Sequence, residues 1–276
     1  MSISATDVNK LRQMTGAGMM DCKKALTESN GDFEAAIDFL RKKGQKVSAS
    51  RADKEANEGA VFVTTNSDNT KGIIFSISCE TDFVAKNEEF VSLGKNIASE
   101  ALKNNISNAA ALLEMTISGK KVSDLLIDLM GKIGEKLEVS SFENYEAEKI
   151  VPYIHSNNKV GVLVAFKNVN GKDVTEVGKD VAMQIAAMKP VAVDKDDVDP
   201  STIEREIEIG KEQARAEGKP EAMLEKIALG KLNKFYKDST LLNQDFVKDT
   251  SKTIAQLLDS VSKGLTVSKF KRVQIG

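Results

Sequence analysis

Two periods of apolar side chains divide this chain: a spacing of three to four, and runs or alternations with a spacing of two. Near the N-terminus Val8 and Leu11 follow Ser4 and Asp7, whose spacing fits a capping box. Thr15-Gly16-Ala17-Gly18 breaks that helix. A second helix presents Met19, Cys22, Ala25 and Leu26 on one side and ends at Asn30-Gly31. Asp32 is a suitable N-cap for a third, where Phe33, Ala36, Ile37 and Leu40 stand at i, i+3, i+4 and i+7. Residues 1 to about 45 therefore read as a small three-helix bundle. The stretch from Arg41 to about Asn57 carries Lys42, Lys43, Lys46, Arg51 and Lys54, and reads as a linker, exposed or partly helical.

The period then changes. Gly59 to Thr65 and Gly72 to Cys79 are apolar and β-branched, and Asn66-Ser67-Asp68-Asn69 between them makes a hairpin. Phe90, Leu93, Ile97 and Ala101 mark a helix, and Leu125, Leu126, Leu129 and Ile133 another. Strand signals return at Ile150 to His155 and Val160 to Phe166, around a turn at Ser156-Asn157-Asn158, followed by a helix from about Thr175 to Met188. This second block looks like a diverged copy of the first. Gly72-Ile73-Ile74-Phe75 corresponds to Gly161-Val162-Leu163-Val164, and Val91 to Ala98 corresponds to Thr175 to Ala182. Residues 201 to about 236 hold two charged helices with thin apolar seams: Ile203, Ile207 and Ala214, then Leu224, Ile227 and Ala228. They flank Gly218-Lys219-Pro220, which suggests a projecting antiparallel helical hairpin. A helix near Thr253 to Ser262 and a strand from Thr266 to Ile275 complete an α+β chain.

Composition narrows the chemistry. The 276 residues allow about two domains, and 41% hydrophobic content allows a sizeable core. A net charge of −2 argues against broad nucleic-acid binding. No apolar run approaches the roughly 20 residues of a membrane span. Met1 to Asp7 lacks the features of a signal peptide, so a cytosolic, cytoplasmic location is expected. Two cysteines, Cys22 and Cys79, and one histidine, His155, are too few for a zinc site of about four Cys/His ligands. No cofactor is expected.

Catalytic patterns are missing as well. There is no Gly-x-Ser-x-Gly elbow and no phosphate-loop motif. Two segments instead look like contact surfaces. Thr15 to Met20 joins a glycine turn to consecutive methionines. These cannot both face one core, unless the next domain absorbs them. Glu80 to Asn87 carries Phe83 at a strand–helix junction. Phe83 stands seven residues before Phe90, so it either extends that helix's apolar stripe or forms an aromatic wedge beside Asp82.

At these residues the sequence resembles the elongation factor Ts family. Thr15 to Leu26 is similar to its N-terminal signature, and Thr81-Asp82-Phe83-Val84-Ala85-Lys86 to its second. Lys132-Ile133-Gly134-Glu135, Tyr153-Ile154-His155, Ala186 to Pro190 and Gly218-Lys219-Pro220 also look like family segments. The resemblance implies a ubiquitin-associated-like bundle with linker (1–55), core subdomains at 56–140 and 141–276, and a helical hairpin inserted at about 201–236. It implies a non-enzymatic factor that binds elongation factor Tu, GDP-bound and nucleotide-free, and promotes GDP release. No nucleic acid, membrane or small-molecule substrate is implied. On this resemblance Thr81, Asp82, Phe83 and Val84 would dislodge the partner's Mg²⁺. Ile133 and Gly134 would contact its nucleotide domain, which Arg12, Met19 and Met20 would anchor. His155 and the hairpin would reach its far domain. The best-known forms continue into a C-terminal helical module, which is expected to be missing here after Lys271-Arg272-Val273-Gln274-Ile275-Gly276.

Three other readings compete. A ubiquitin-associated-type adaptor would prefer an unrelated protein partner. An RNA-binding factor using the basic linker would lose affinity steeply with salt. A thiol enzyme at Cys79 would alkylate quickly at neutral pH.

Overall fold

The computed structural model describes residues 3–155 and 157–276. It opens with α1 (Ala5–Thr15), α2 (Met19–Glu28) and α3 (Phe33–Ser50). Ser4 and Asp7 form the expected capping box, and Asp32 accepts from the Ala35 amide at 2.9 Å. Leu11, Cys22, Ala25, Leu26 and Ala36 close the bundle's core. The third helix runs past the end expected near residue 45, as the partly helical alternative for the linker allows. It continues through the basic stretch to Ser50, and Gly44 lies buried inside it. A Cβ at Gly44 would sit 2.7 Å from the Ile127 carbonyl oxygen, so only glycine lets the next helical layer approach this closely.

The rest of the chain contains β1 (Glu58–Thr65), β2 (Lys71–Cys79), α4 (Asp82–Ala85), α5 (Glu88–Lys103), α6 (Ala109–Glu114), β3 (Thr116–Ile117), β4 (Lys120–Lys121) and α7 (Val122–Ile133). Then come β5 (Leu137–Glu146), β6 (Lys149–Ile154), β7 (Val160–Lys167), α8 (Thr175–Met188), α9 (Pro200–Ala216) and α10 (Leu224–Ser239). β8 (Asp245–Phe246), β9 (Asp249–Thr253), α11 (Ile254–Val261) and β10 (Thr266–Gln274) follow. The turn expected at Ser156-Asn157-Asn158 begins on residue 156, outside the described residues.

Two antiparallel three-stranded sheets, ordered β1-β2-β5 and β10-β7-β6, pack face to face. Val61, Ile74, Ile150, Leu163, Ala165 and Val273 fill the space between them. Alternate residues of the central strands point outward. Ile73, Phe75 and Ile77 meet α5 and α7, while Val162, Val164 and Phe166 meet α8 and α11. Burial on both faces explains why β2 and β7 read as continuous apolar runs.

The internal repeat extends to single residues. Phe75 pairs with Phe62 and Phe142; its counterpart Val164 pairs with Val151 and Phe270. Each third strand bulges at an equivalent serine. Ser140 is bypassed between Ser141 and Val139, and Ser268 between Lys269 and Val267. Gly94 of α5 lies against the Phe62 ring, and Gly178 of α8 against Val151, so each helix uses one glycine to sit close to its sheet.

The α9–α10 pair forms the expected helical hairpin. Its seam closes where Gly210 meets Ala228 and where Ala214, Leu224 and Leu232 are buried. At its base Ala192 bridges Thr240, and Val191 donates to the Ser239 carbonyl at 2.8 Å.

Candidate functional site

The last ladder pair joining β2 to β5 is Cys79 with Leu137. Beyond it side chains take over from backbone. The Lys136 amide donates to Glu80 Oε1 at 2.8 Å, and the Thr81 amide donates to Glu135 Oε2 at 3.0 Å. Thr81 Oγ donates to Glu135 Oε1 at 2.7 Å. Glu80 Oε2 also receives Arg51 Nη1 at 2.9 Å, which ties the end of α3 to the same junction.

From this anchor the chain makes the single turn α4. Thr81 caps it, and Val84 and Ala85 turn inward. Phe83 turns outward and is 82% exposed. The core alternative for Phe83 is thereby overturned. Asn87 leaves the helical conformation to cap α5, accepting from the Glu89 and Phe90 amides, so the spacing of seven does not run along one helix. Phe90 is the buried aromatic, 6.2 Å from the Phe62 ring. Beside Phe83, Asp82 pairs with Lys86 at 2.7 Å, and that hydrogen bond holds the Asp82 carboxyl below its ordinary range.

Ile133 and Gly134 end α7 next to Glu135. Gly134 takes a φ of +81° and donates to the Met130 carbonyl at 2.8 Å, a left-handed cap suited to glycine. Lys132 reaches Glu89 at 3.3 Å, and its ammonium lies against Gly16 of the N-terminal turn. Past that turn Met19 and Met20 are 53% and 74% exposed, so both methionines face out and neither is absorbed by packing. Arg12 is exposed in the last turn of α1 and has no ion pair among the described residues. The structure thus brings Thr81–Val84 directly beside Ile133–Gly134, with the Gly16 turn adjoining through Lys132. His155 stands on a separate loop at the end of β6, exposed, with Nδ1 3.0 Å from the Tyr153 hydroxyl. That loop leans on β1, where Asn158 accepts from the Val61 amide at 2.8 Å and Lys159 pairs with Glu58 at 2.6 Å.

The thiol reading fails on geometry. Cys79 is fully buried; burial, then the nearby charges of Glu135 and Glu58, push its pKa up to about 12. No group of three potential metal ligands and no helix long and apolar enough to cross a membrane occurs among the described residues. Glu80 and Glu135 were not singled out as site residues from sequence. Their only signal is that each stands at the end of a quoted segment, because the amides they accept from lie more than 50 residues away.

The elongation factor TS family model matches residues 80–276, the span that holds the Phe83 turn, β5, the second sheet and the hairpin. The chain is 62% identical over 275 residues to elongation factor Ts of Cytophaga hutchinsonii, covering 99% of each chain. It is 52% identical over 276 residues to that of Amoebophilus asiaticus, covering 100% of each. It is 50% identical over 275 residues to that of Flavobacterium psychrophilum, covering 100% of this chain and 99% of the relative. With identity this high from end to end, including the N-terminal bundle outside the matched model, the chain belongs to the elongation factor Ts family of translation elongation factors.

Proposed function

We propose that this protein is a guanine nucleotide exchange factor that binds elongation factor Tu·GDP in the cytoplasm, dislodges its Mg²⁺ and promotes GDP release. The observation that carries the reading is Phe83. A large apolar side chain stands 82% exposed on a turn held by its neighbours, beside a carboxylate paired with Lys86. Isolated exposed apolar groups are common; one built onto a braced turn, within a family motif, supports a wedge.

On this reading Thr81, Asp82, Phe83 and Val84 intrude beside the partner's switch region and displace the groups that hold Mg²⁺. Ile133 and Gly134 contact the nucleotide domain near its guanine and phosphate loops. Arg12, Met19 and Met20 anchor the bundle, and His155 and the hairpin reach the far domain. The chain is read as working in three units, 1–55, 56–140 and 141–276, with the hairpin at about 201–236; because β5 pairs with β2 from Leu137 to Glu146, the second boundary belongs near residue 146. No bond in the nucleotide is made or broken, so the factor needs no catalytic residue or cofactor.

Linkage sets the energetics. A partner that prefers the nucleotide-free state must weaken nucleotide binding by the same factor. Weakening by 10⁴ takes about 5.5 kcal/mol of differential binding. Burying one Phe supplies about 1.5–3 kcal/mol, so the remaining contacts must contribute comparably. The test is stopped-flow release of fluorescent GDP from elongation factor Tu with catalytic amounts of this protein. Strong acceleration by the wild type, reduced in Phe83→Ala, is expected. A folded wild type without effect removes the reading and puts the adaptor alternative first.

A further inference from the structure

We propose that Glu135 is a positioning residue for exchange: its carboxylate holds the Phe83 turn in the geometry that enters the partner. This inference rests on the exchange reading. Glu135 is not itself among the residues proposed to meet the partner; it acts through Thr81, which is, and which it holds by two hydrogen bonds.

The geometry is reciprocal. Where the β2–β5 ladder ends at Cys79 and Leu137, each strand sends one carboxylate to the other's next amide. Glu80 accepts from the Lys136 amide at 2.8 Å, and Glu135 accepts from the Thr81 amide at 3.0 Å. Glu135 spends its other oxygen on Thr81 Oγ at 2.7 Å, so both oxygens serve one residue. Hydrogen bonds to an ionised acceptor are about twice as strong as neutral ones. Thr81 is the N-cap of α4, and its oxygen receives the Val84 amide at a long 3.5 Å. A four-residue helix cannot hold itself in water, because nucleation costs more than one turn returns. Its shape must be imposed from outside. Three inputs do so: Val84 and Ala85 buried beneath it, Glu135 at its N-cap residue, and the Cys79 thiol, which donates to the Thr81 carbonyl at 3.1 Å. The apolar pair fixes depth, and the carboxylate fixes direction. Because Glu135 directly follows Ile133 and Gly134, the same group locks both proposed contact segments into one rigid unit.

Preorganisation of this kind acts on rate rather than on fold. Glu135→Ala removes both bonds, and is expected to slow catalysed GDP release about tenfold. Glu135→Gln can still accept from the Thr81 amide and donate to Thr81 Oγ, and is expected to recover release to within about threefold of wild type. Hydrogen exchange read over residues 80–86 should quicken in Glu135→Ala, while the β2 amides before Cys79 stay protected. Thr81→Val, which loses the hydroxyl's bond to Glu135 and its long cap bond from the Val84 amide but keeps the Thr81 amide bond, should slow release less than Glu135→Ala. The double variant should lose less than the sum of the two single changes, since both act on the Thr81–Glu135 linkage.

Glu135→Ala releasing GDP at the wild-type rate, or leaving exchange over 80–86 unchanged, overturns the proposal. If Glu135→Ala does not fold, Thr81→Val and Glu135→Gln decide it: additive losses, or no loss in either, overturn it. A wild type that fails to accelerate release removes the exchange reading instead; the hydrogen-exchange arm then still shows whether Glu135 holds the turn.

Discussion

Two phenylalanines seven residues apart meet opposite environments. Phe83 is 82% exposed and Phe90 is 1% exposed. Phe83→Ala should therefore leave stability within about 0.5 kcal/mol of wild type, while Phe90→Ala opens a cavity under β1 and costs about 3–5 kcal/mol. Denaturant melts of both variants check this, and a large loss in Phe83→Ala would mean that the turn leans on its own aromatic. Cys79 gives a second test. Its thiol, raised to about 12, stays protonated in the fold while the unfolded chain ionises near 8.5. Between those values the unfolded state binds fewer protons, so the contribution to stability is full below pH 8.5 and falls by up to about 1.4 kcal/mol per pH unit above it. Cys79→Ala should flatten stability between about pH 9 and 11 relative to wild type, and native Cys79 should resist alkylation at pH 7. At this scale the sequence exposed the candidate contacts through motif and oddity: an aromatic at a junction, two methionines after a glycine turn. It could not expose the Thr81–Glu135 bonds, since two ordinary residues 54 apart carry no joint signal until the ladder brings them together.

Among the elements, the legible ones were those whose burial is one-sided or complete. The helices from Thr175 and around Phe90 carry apolar stripes, and β2 and β7 carry unbroken apolar runs. β5 escaped because its residues are mostly polar and half-exposed at the sheet's edge; its pairing with β2 supplies the order that its composition does not. The extension of α3 was hidden because its basic run reads as a solvated connector, and because Gly44 inside it has low helix propensity. In the fold that glycine is the point of closest approach to α7, facing Gly131 as well as the Ile127 carbonyl. The prediction is a reversal of propensity. Gly44→Ala should destabilise by about 1–3 kcal/mol through overpacking, despite a helix-propensity gain of about 1 kcal/mol. Gly230→Ala, in α10 with nothing within 4 Å of its added Cβ, should stabilise by about 0.4–1 kcal/mol. Thermal melts of the pair decide it; a gain in both would mean that α3 and α7 can separate slightly at little cost.

At the scale of the whole molecule, one half-structure is used twice and then extended differently. Both sheets share strand order, bulge position and the glycine beneath their outer helix. The first copy carries the braced Phe83 turn; the second carries the α9–α10 hairpin, which grows from a base closed by the Ala192–Thr240 bridge. Within residues 204–234 the ion pairs stay inside the hairpin: Lys211 with Glu225 at 2.7 Å, Arg215 with Glu221 at 2.9 Å and Lys231 with Glu217 at 3.4 Å, while at the base Lys237 reaches Asp245 of β8 at 3.2 Å. Exposed pairs of this sort contribute little to stability, and the three within 204–234 do not reach the sheets. Replacing residues 204–234 by a short Gly/Ser loop should therefore leave the melting temperature of the remainder within a few degrees of wild type. The first turn of α9, the last turn of α10, the Asp199 cap and the bridge at the base all stay in place. If the hairpin serves as a remote foothold on elongation factor Tu, its loss removes binding that is equal before and during GDP release. The half-maximal concentration for exchange should then rise, with the maximal rate retained. A fall in the maximal rate at unchanged half-maximal concentration would instead place the hairpin in the step that opens the nucleotide site, beside the Phe83 turn and the end of α7.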